Sequence, residues 1–179
     1  MLLKLNLIIL SLLILFYSVS RIIINRNKHV DIKKEVINLS LFMSMLVIVS
    51  ATILPRQLGT GFREFEIYNL TPFKVVTYIY NNYSLEYFLY QTVGNFMLFI
   101  PFGFFSYCKF KSIKKAIILS LAMTLSVELI QGFIPNRFCD IDDIWLNTSG
   151  GILGSIAAYF LISSFNLISK NMKISDIES

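Results

Sequence analysis

Long apolar runs alternate with short polar interruptions along this chain, and the polar positions inside the runs fall at helical spacings. Five runs are long enough to cross ~30 Å of hydrocarbon at ~1.5 Å per residue. They extend from Leu2 to Ser20, Val36 to Leu54, Tyr87 to Tyr107, Ala116 to Ile134 and Ile141 to Ile168. The last is the longest, so its first residues are expected to stand above the hydrocarbon. Between the second and third runs, the stretch from about Pro55 to Glu86 is too long for a simple connection. Pro72 disfavours helix at Thr71 and suits the start of a new one. The following Val75, Val76, Tyr78, Ile79, Tyr80 and Tyr83 read either as a short interfacial helix with tyrosines at headgroup depth or as a solvated loop. The pattern predicts an all-α polytopic membrane helix bundle, with about five transmembrane helices and an outer interfacial helix. Three parts follow: 1–35, an N-terminal transmembrane helix and basic cytoplasmic loop; 36–170, the main membrane domain; and 171–179, a cytoplasmic tail.

Composition agrees. The chain has 179 residues, of which 55% are hydrophobic and 15% charged, and a mean hydropathy of +0.66. A soluble domain of this size has too little interior for so much apolar residue. Lys4 before the first run and Ser18-Val-Ser20 after it resemble a signal peptide. The basic residues that follow, Arg21, Arg26, Lys28, Lys33 and Lys34, favour a retained span instead.

The placement of positive charge predicts orientation. The first loop holds those five residues, the third loop holds Lys109, Lys111, Lys114 and Lys115, and the tail holds Lys170 and Lys173. The opposite side holds Lys4, Arg56, Arg63, Lys74 and Arg137. The first and third loops are therefore expected in the cytoplasm, with the N-terminus outside and the C-terminus inside. Basic residues scattered between spans do not suggest nucleic-acid binding. Cys108 and Cys139 fall at opposite ends of the bundle and cannot pair, and His29 lies in a basic loop. So few Cys and His argue against a zinc site or a Cys–His pair. No cofactor is implied.

Glu128 carries the most information. A carboxylate inside a membrane span costs about 2.5–3.5 kcal/mol on insertion scales. Thr124, Glu128 and Gln131 form one stripe on the fourth run, and Gln91 and Asn95 share a face of the third. Pro101 removes the backbone bond to the Met97 carbonyl and is expected to kink that helix. Asp140 is placed to cap the fifth helix, with Asp143 as its capping-box partner. Asp143, Asn147, Gly150 or Gly151, and Gly154 then line one face, while Asp142 is expected to face solvent. Gly150, Gly154 and Ala158 make a small-residue stripe that lets helices approach closely. Glu128, Asn147 and Asn95 lie ~9, ~10 and ~12 Å from their helix ends. That shared depth predicts a polar pocket opening outward. Arg137 either contacts a ligand, snorkels, or pairs with Asp140.

Three segments together resemble the VanZ-like family of bacterial membrane proteins. They are NLTPF (69–73), GNFMLFIPFGFF (94–105) and SVELIQGFIPNRFCDIDDIWLNTSGGILG (126–154). Asn69, Pro72, Phe73, Asn95, Phe99, Pro101, Gly103, Glu128, Gln131, Arg137, Asp140, Asp143, Asn147 and Gly150 fit the family's ordered pattern. The resemblance spans roughly residues 50 to 165 and leaves out the first run and the basic loop. It implies a multi-pass protein of the bacterial cytoplasmic membrane. It also implies a phenotype, lowered susceptibility to the glycopeptide teicoplanin, rather than a reaction.

Three functions are open at this stage. In the first, an outward pocket of Asn95, Glu128, Gln131, Arg137, Asp140, Asp143 and Asn147 binds a membrane lipid, a lipid-linked cell-wall precursor or a glycopeptide-related ligand. Arg137 would meet phosphate there and Glu128 a hydroxyl or amine. In the second, Glu128 is the general acid or base of an enzyme acting on a lipid phosphate, with Asp140 and Asp143 holding Mg²⁺ or Ca²⁺. In the third, the chain is an accessory subunit and the polar residues are packing glue, at ~0.6 kcal/mol per bond. A transporter is disfavoured, because the spans show no inverted repeat.

Overall fold

The computed structural model describes residues 2–26, 30–53, 68–134 and 139–178. Six helices carry the fold: α1 (Leu2–Asn25), α2 (Ile32–Thr52), α3 (Lys74–Asn82), α4 (Leu85–Phe110), α5 (Ile113–Gln131) and α6 (Ile141–Glu178). The expected all-α membrane bundle is what forms. Helix starts follow local chemistry: Asp31, Ser84 and Ser112 each accept the N–H three residues on, at 3.3 Å. Lys111, in the left-handed conformation at φ 50°, stops α4, and α5 begins two residues later.

Helices α1, α2, α4 and α6 are long and apolar enough to cross a membrane. The fifth expected span, α5, has 19 residues but carries Lys114, Lys115 and Glu128. Lys114 and Lys115 are exposed in its first turn, while Glu128 has a packing reason. Ala116, Ser120, Thr124, Val127, Glu128 and Gln131 form a single buried stripe. A helix enclosed by neighbours along that stripe has no need to be apolar all round. Helix α6 continues to Glu178, through the segment expected to be a separate tail.

The closest seam joins α4 and α6. A Cβ at Gly150 would strike the Phe96 carbonyl, one at Gly154 the Ile100 carbonyl, and one at Gly103 the Gly151 backbone. The Phe96–Gly150 and Ile100–Gly154 pairs advance together along both helices, so α4 and α6 run parallel, with Ala158 fully buried further on. Gly151 faces Ser120 of α5 in the same way, and α5 runs antiparallel to both. The expected small-residue stripe is thus the fold's tightest contact. Pro101 lies inside α4 without ending it.

An apolar core of Leu41, Ile48, Phe99, Phe102 and Val127 joins α2, α4 and α5. In contrast, α1 touches the bundle through α2. The Tyr17 and Phe42 rings stack at 4.1 Å, and Arg21 pairs with Glu35. Two two-residue strands, β1 (Tyr68–Asn69) and β2 (Cys139–Asp140), pair in parallel. This bridge fastens the long second loop to the start of α6.

Candidate polar site at one end of the bundle

Short sequence spacing and the packing of α5 on α6 bring the acidic turn around Asp140 over the end of α5. Asp140 caps α6 as expected, accepting the Asp142 N–H at 3.0 Å. The reciprocal half of the capping box comes from another helix, however. Glu128 Oε2 accepts the Asp140 N–H at 2.7 Å, the bond that Asp143 was expected to make. Asp143 Oδ1 instead accepts from Asn95 Nδ2 at 2.6 Å, tying α4 to α6. Glu128 is 1% exposed and Asp140 5%, so both carboxyls belong to the interior.

The other expected residues join the same end. Gln131 Nε2 donates to the Thr52 carbonyl at 3.0 Å, fixing α5 to the end of α2. Asn147 Nδ2 donates to Thr124 Oγ1 at 3.0 Å. Its Oδ1 is buried with no hydrogen-bond partner among the described residues. Asn69 Nδ2 donates to Asp140 Oδ1 at 2.8 Å, and Asn69 Oδ1 accepts the Thr71 N–H at 3.3 Å. Asn69 therefore shapes its own turn and anchors it in one step. Arg137 lies outside the described residues.

Asp142 corrects the sequence reading. Expected to face solvent, it is 1% exposed. Its Oδ1 accepts the Phe73 N–H at 2.7 Å and Trp145 Nε1–H at 3.2 Å, and its Oδ2 accepts the Val76 N–H at 3.3 Å. Phe73 is the cap of α3, holds φ 61° and has no side-chain cap of its own. The Asp142 carboxylate caps α3 from a different helix. Two of the donors left open at a helix start are thereby satisfied. The Phe73 and Trp145 rings meet at 5.4 Å beside it. A signal existed in the sequence: Trp145 lies three residues after Asp142, which puts its indole N–H within reach of that carboxylate on one helix face. The helix expected in the second loop does form, but Pro72 precedes its cap rather than opening it.

Burial pushes the Asp140 carboxyl above the usual range, against the pull of the Asp142 N–H and the Asn69 amide. Burial raises the Cys139 thiol too, helped by the Glu128, Asp140 and Asp143 carboxylates. A thiol so disfavoured as thiolate is a poor nucleophile. Cys108 and Cys139 are both unpaired thiols. The polar groups form an enclosed mesh of hydrogen bonds, tied to the bilayer-spanning helices and to the NLTPF turn.

A multi-pass membrane bundle with a buried acid–amide network at one end is the class this arrangement defines. The family model VanZ/LLP1 matches residues 7–163, and the chain belongs to that VanZ-like family. The match begins within α1, so the family's unit includes the first span and the basic loop, which the motifs alone had left outside. No curated protein and no solved structure matches the chain.

Proposed function

We propose that this is a cell-envelope membrane protein whose polar end recognises the headgroup of a lipid or lipid-linked cell-wall precursor, and that it lowers teicoplanin susceptibility in this way. The observation that carries the reading is Asn147 Oδ1, a buried acceptor with no partner among the described residues, on a side chain 2% exposed. Such an atom costs about 1–3 kcal/mol until a donor reaches it. A sugar hydroxyl or an amine is a donor of the right kind. Glu128 and Asp140 supply acid character beside it, and Arg137, in the short connection between α5 and β2, supplies a guanidinium for phosphate. The distribution of Lys and Arg supports placing this end outside the cytoplasm, where a glycopeptide meets its target. The test is teicoplanin susceptibility of a sensitive host that expresses the protein. Glu128→Gln, Arg137→Ala and Asn147→Leu are each expected to abolish protection. Full protection by both Glu128→Gln and Arg137→Ala sinks the reading.

A second reading, packing glue, draws support from the mutual bonding of Asn95 with Asp143 and Thr124 with Asn147. It requires Glu128→Gln to leave both thermal stability and protection intact. The enzyme reading has less support. Asp140 bonds to Asn69 and Asp143 to Asn95. Among the described residues no three of His, Cys, Asp and Glu gather as metal ligands.

A further inference from the structure

A cleft of about 320 Å³ lies between α1 and α2, at the end of α2 away from Thr52 and the polar network. Its wall combines two chemistries. Ile32, Val36 and Leu39 give an apolar side, and Tyr17, Arg21 and Glu35 give a polar one. We propose that this cleft binds one anionic glycerophospholipid, with an acyl chain along Val36 and Leu39 and the phosphate at Tyr17 and Arg21. The site is separate from the polar end and does not depend on its proposed role.

Two observations carry this. The Tyr17 hydroxyl is buried and has no hydrogen-bond partner among the described residues, although its ring is fixed by stacking on Phe42. An enclosed O–H donor beside an apolar wall suits a phosphate or ester oxygen. Among the described residues, Arg21 gives Nε–H and one Nη2–H to Glu35. Three of the five guanidinium hydrogens are left for a second acceptor, and the carboxylate holds the guanidinium plane in place. Arg21 and Glu35 cancel in charge. Exposed Lys33, next to Ile32, and exposed Arg26, at the end of α1, leave this corner positive and complementary to a phosphodiester. A volume of 320 Å³ is at the lower end of the ~300–1,000 Å³ typical of ligand sites. It suits a lipid whose remaining surface stays in the bilayer.

The experiment uses full-length protein extracted from vesicles of equal phosphatidylglycerol and phosphatidylcholine, with retained lipid counted by native mass spectrometry. The native protein is expected to retain phosphatidylglycerol about tenfold over phosphatidylcholine. Tyr17→Phe deletes one hydroxyl, keeps the ring stack and changes no charge. It is expected to lower phosphatidylglycerol retention about tenfold, the worth of one hydrogen bond to a charged group. Val36→Trp, which fills the cleft from an exposed position, is expected to act in the same direction. Equal retention of the two lipids by the native protein overturns the proposal. So does Tyr17→Phe holding phosphatidylglycerol at the native level, which would mean that the basic loop attracts anionic lipid without a site.

Discussion

Glu128 Oε2 accepts the backbone N–H of Asp140 at 2.7 Å, so a carboxylate on α5 caps the start of α6. The bond explains how a buried acid is held, and it separates the two oxygens of Glu128 in consequence. Glu128→Gln keeps an acceptor for that N–H, whereas Glu128→Ala strands it. Glu128→Ala is expected to cost about 1–3 kcal/mol and Glu128→Gln under half of that, read as melting temperatures in detergent. Equal losses would show that the cap is not what Glu128 contributes to stability.

Asp142 holds α3 through the Phe73 and Val76 N–H groups and also holds the indole of Trp145. Asp142→Ala is expected to release α3 and to free the indole N–H of the chain's only tryptophan. The check is at least tenfold faster hydrogen exchange at Phe73 and Val76, for about 1.5–3 kcal/mol of lost charge-assisted bonding. Unchanged exchange at both amides would contradict the trans-cap.

The α4–α6 seam predicts opposite results for two glycines. A Cβ at Gly154 would overlap the Ile100 carbonyl, while one at Gly94 meets nothing within 4 Å. Gly154→Ala is expected to destabilise by about 1–3 kcal/mol. Gly94→Ala is expected to be neutral or to stabilise by about 0.5–1 kcal/mol, through backbone entropy. Thermal unfolding of the two variants side by side decides the matter.

Burial raises the Asp140 pKa, which fixes the sign of a pH effect. The folded protein prefers the protonated acid, so the contribution is complete below the unfolded value near ~3.9. It is lost as pH rises through the higher folded value. Asp140→Asn can still accept from Asn69 and the Asp142 N–H, and it is expected to flatten stability across that window. Carboxyl-carbon NMR of Asp140 should report a midpoint above the ordinary one; a midpoint at or below it would refute the assignment.

The sequence disclosed the helices, the Gly150–Gly154–Ala158 stripe and most members of the polar end, because each leaves a local or periodic trace. Asn95, Glu128 and Asn147 stand out as polar groups within apolar runs, whatever their partners. Partner choice was not legible. Glu128 takes the capping role that spacing alone assigns to Asp143, since the Asp140 N–H is reached from α5 and not from within α6. Asp142 was misjudged for the same reason: an acid in a first helical turn looks solvated until a second helix start, that of α3, is set against it. The first helix is not marked in the same way: its polar residues, such as Asn6, Tyr17 and Arg21, form no ordered set with the motifs of the later helices.

The separation of these partners along the chain has a consequence in time. Asn95 waits for Asp143, which lies 48 residues later, and Asn69 waits 71 residues for Asp140. At ~5–20 residues per second of synthesis, the Asn95 amide is made roughly 2–10 s before its acceptor. Over that interval α4 can enter the bilayer but cannot settle. The bundle closes only when the ribosome has delivered α6, so a chain truncated before Asp140 keeps the bond from Gln131 to Thr52 but leaves the Asn69 and Asn95 amides without their acceptors.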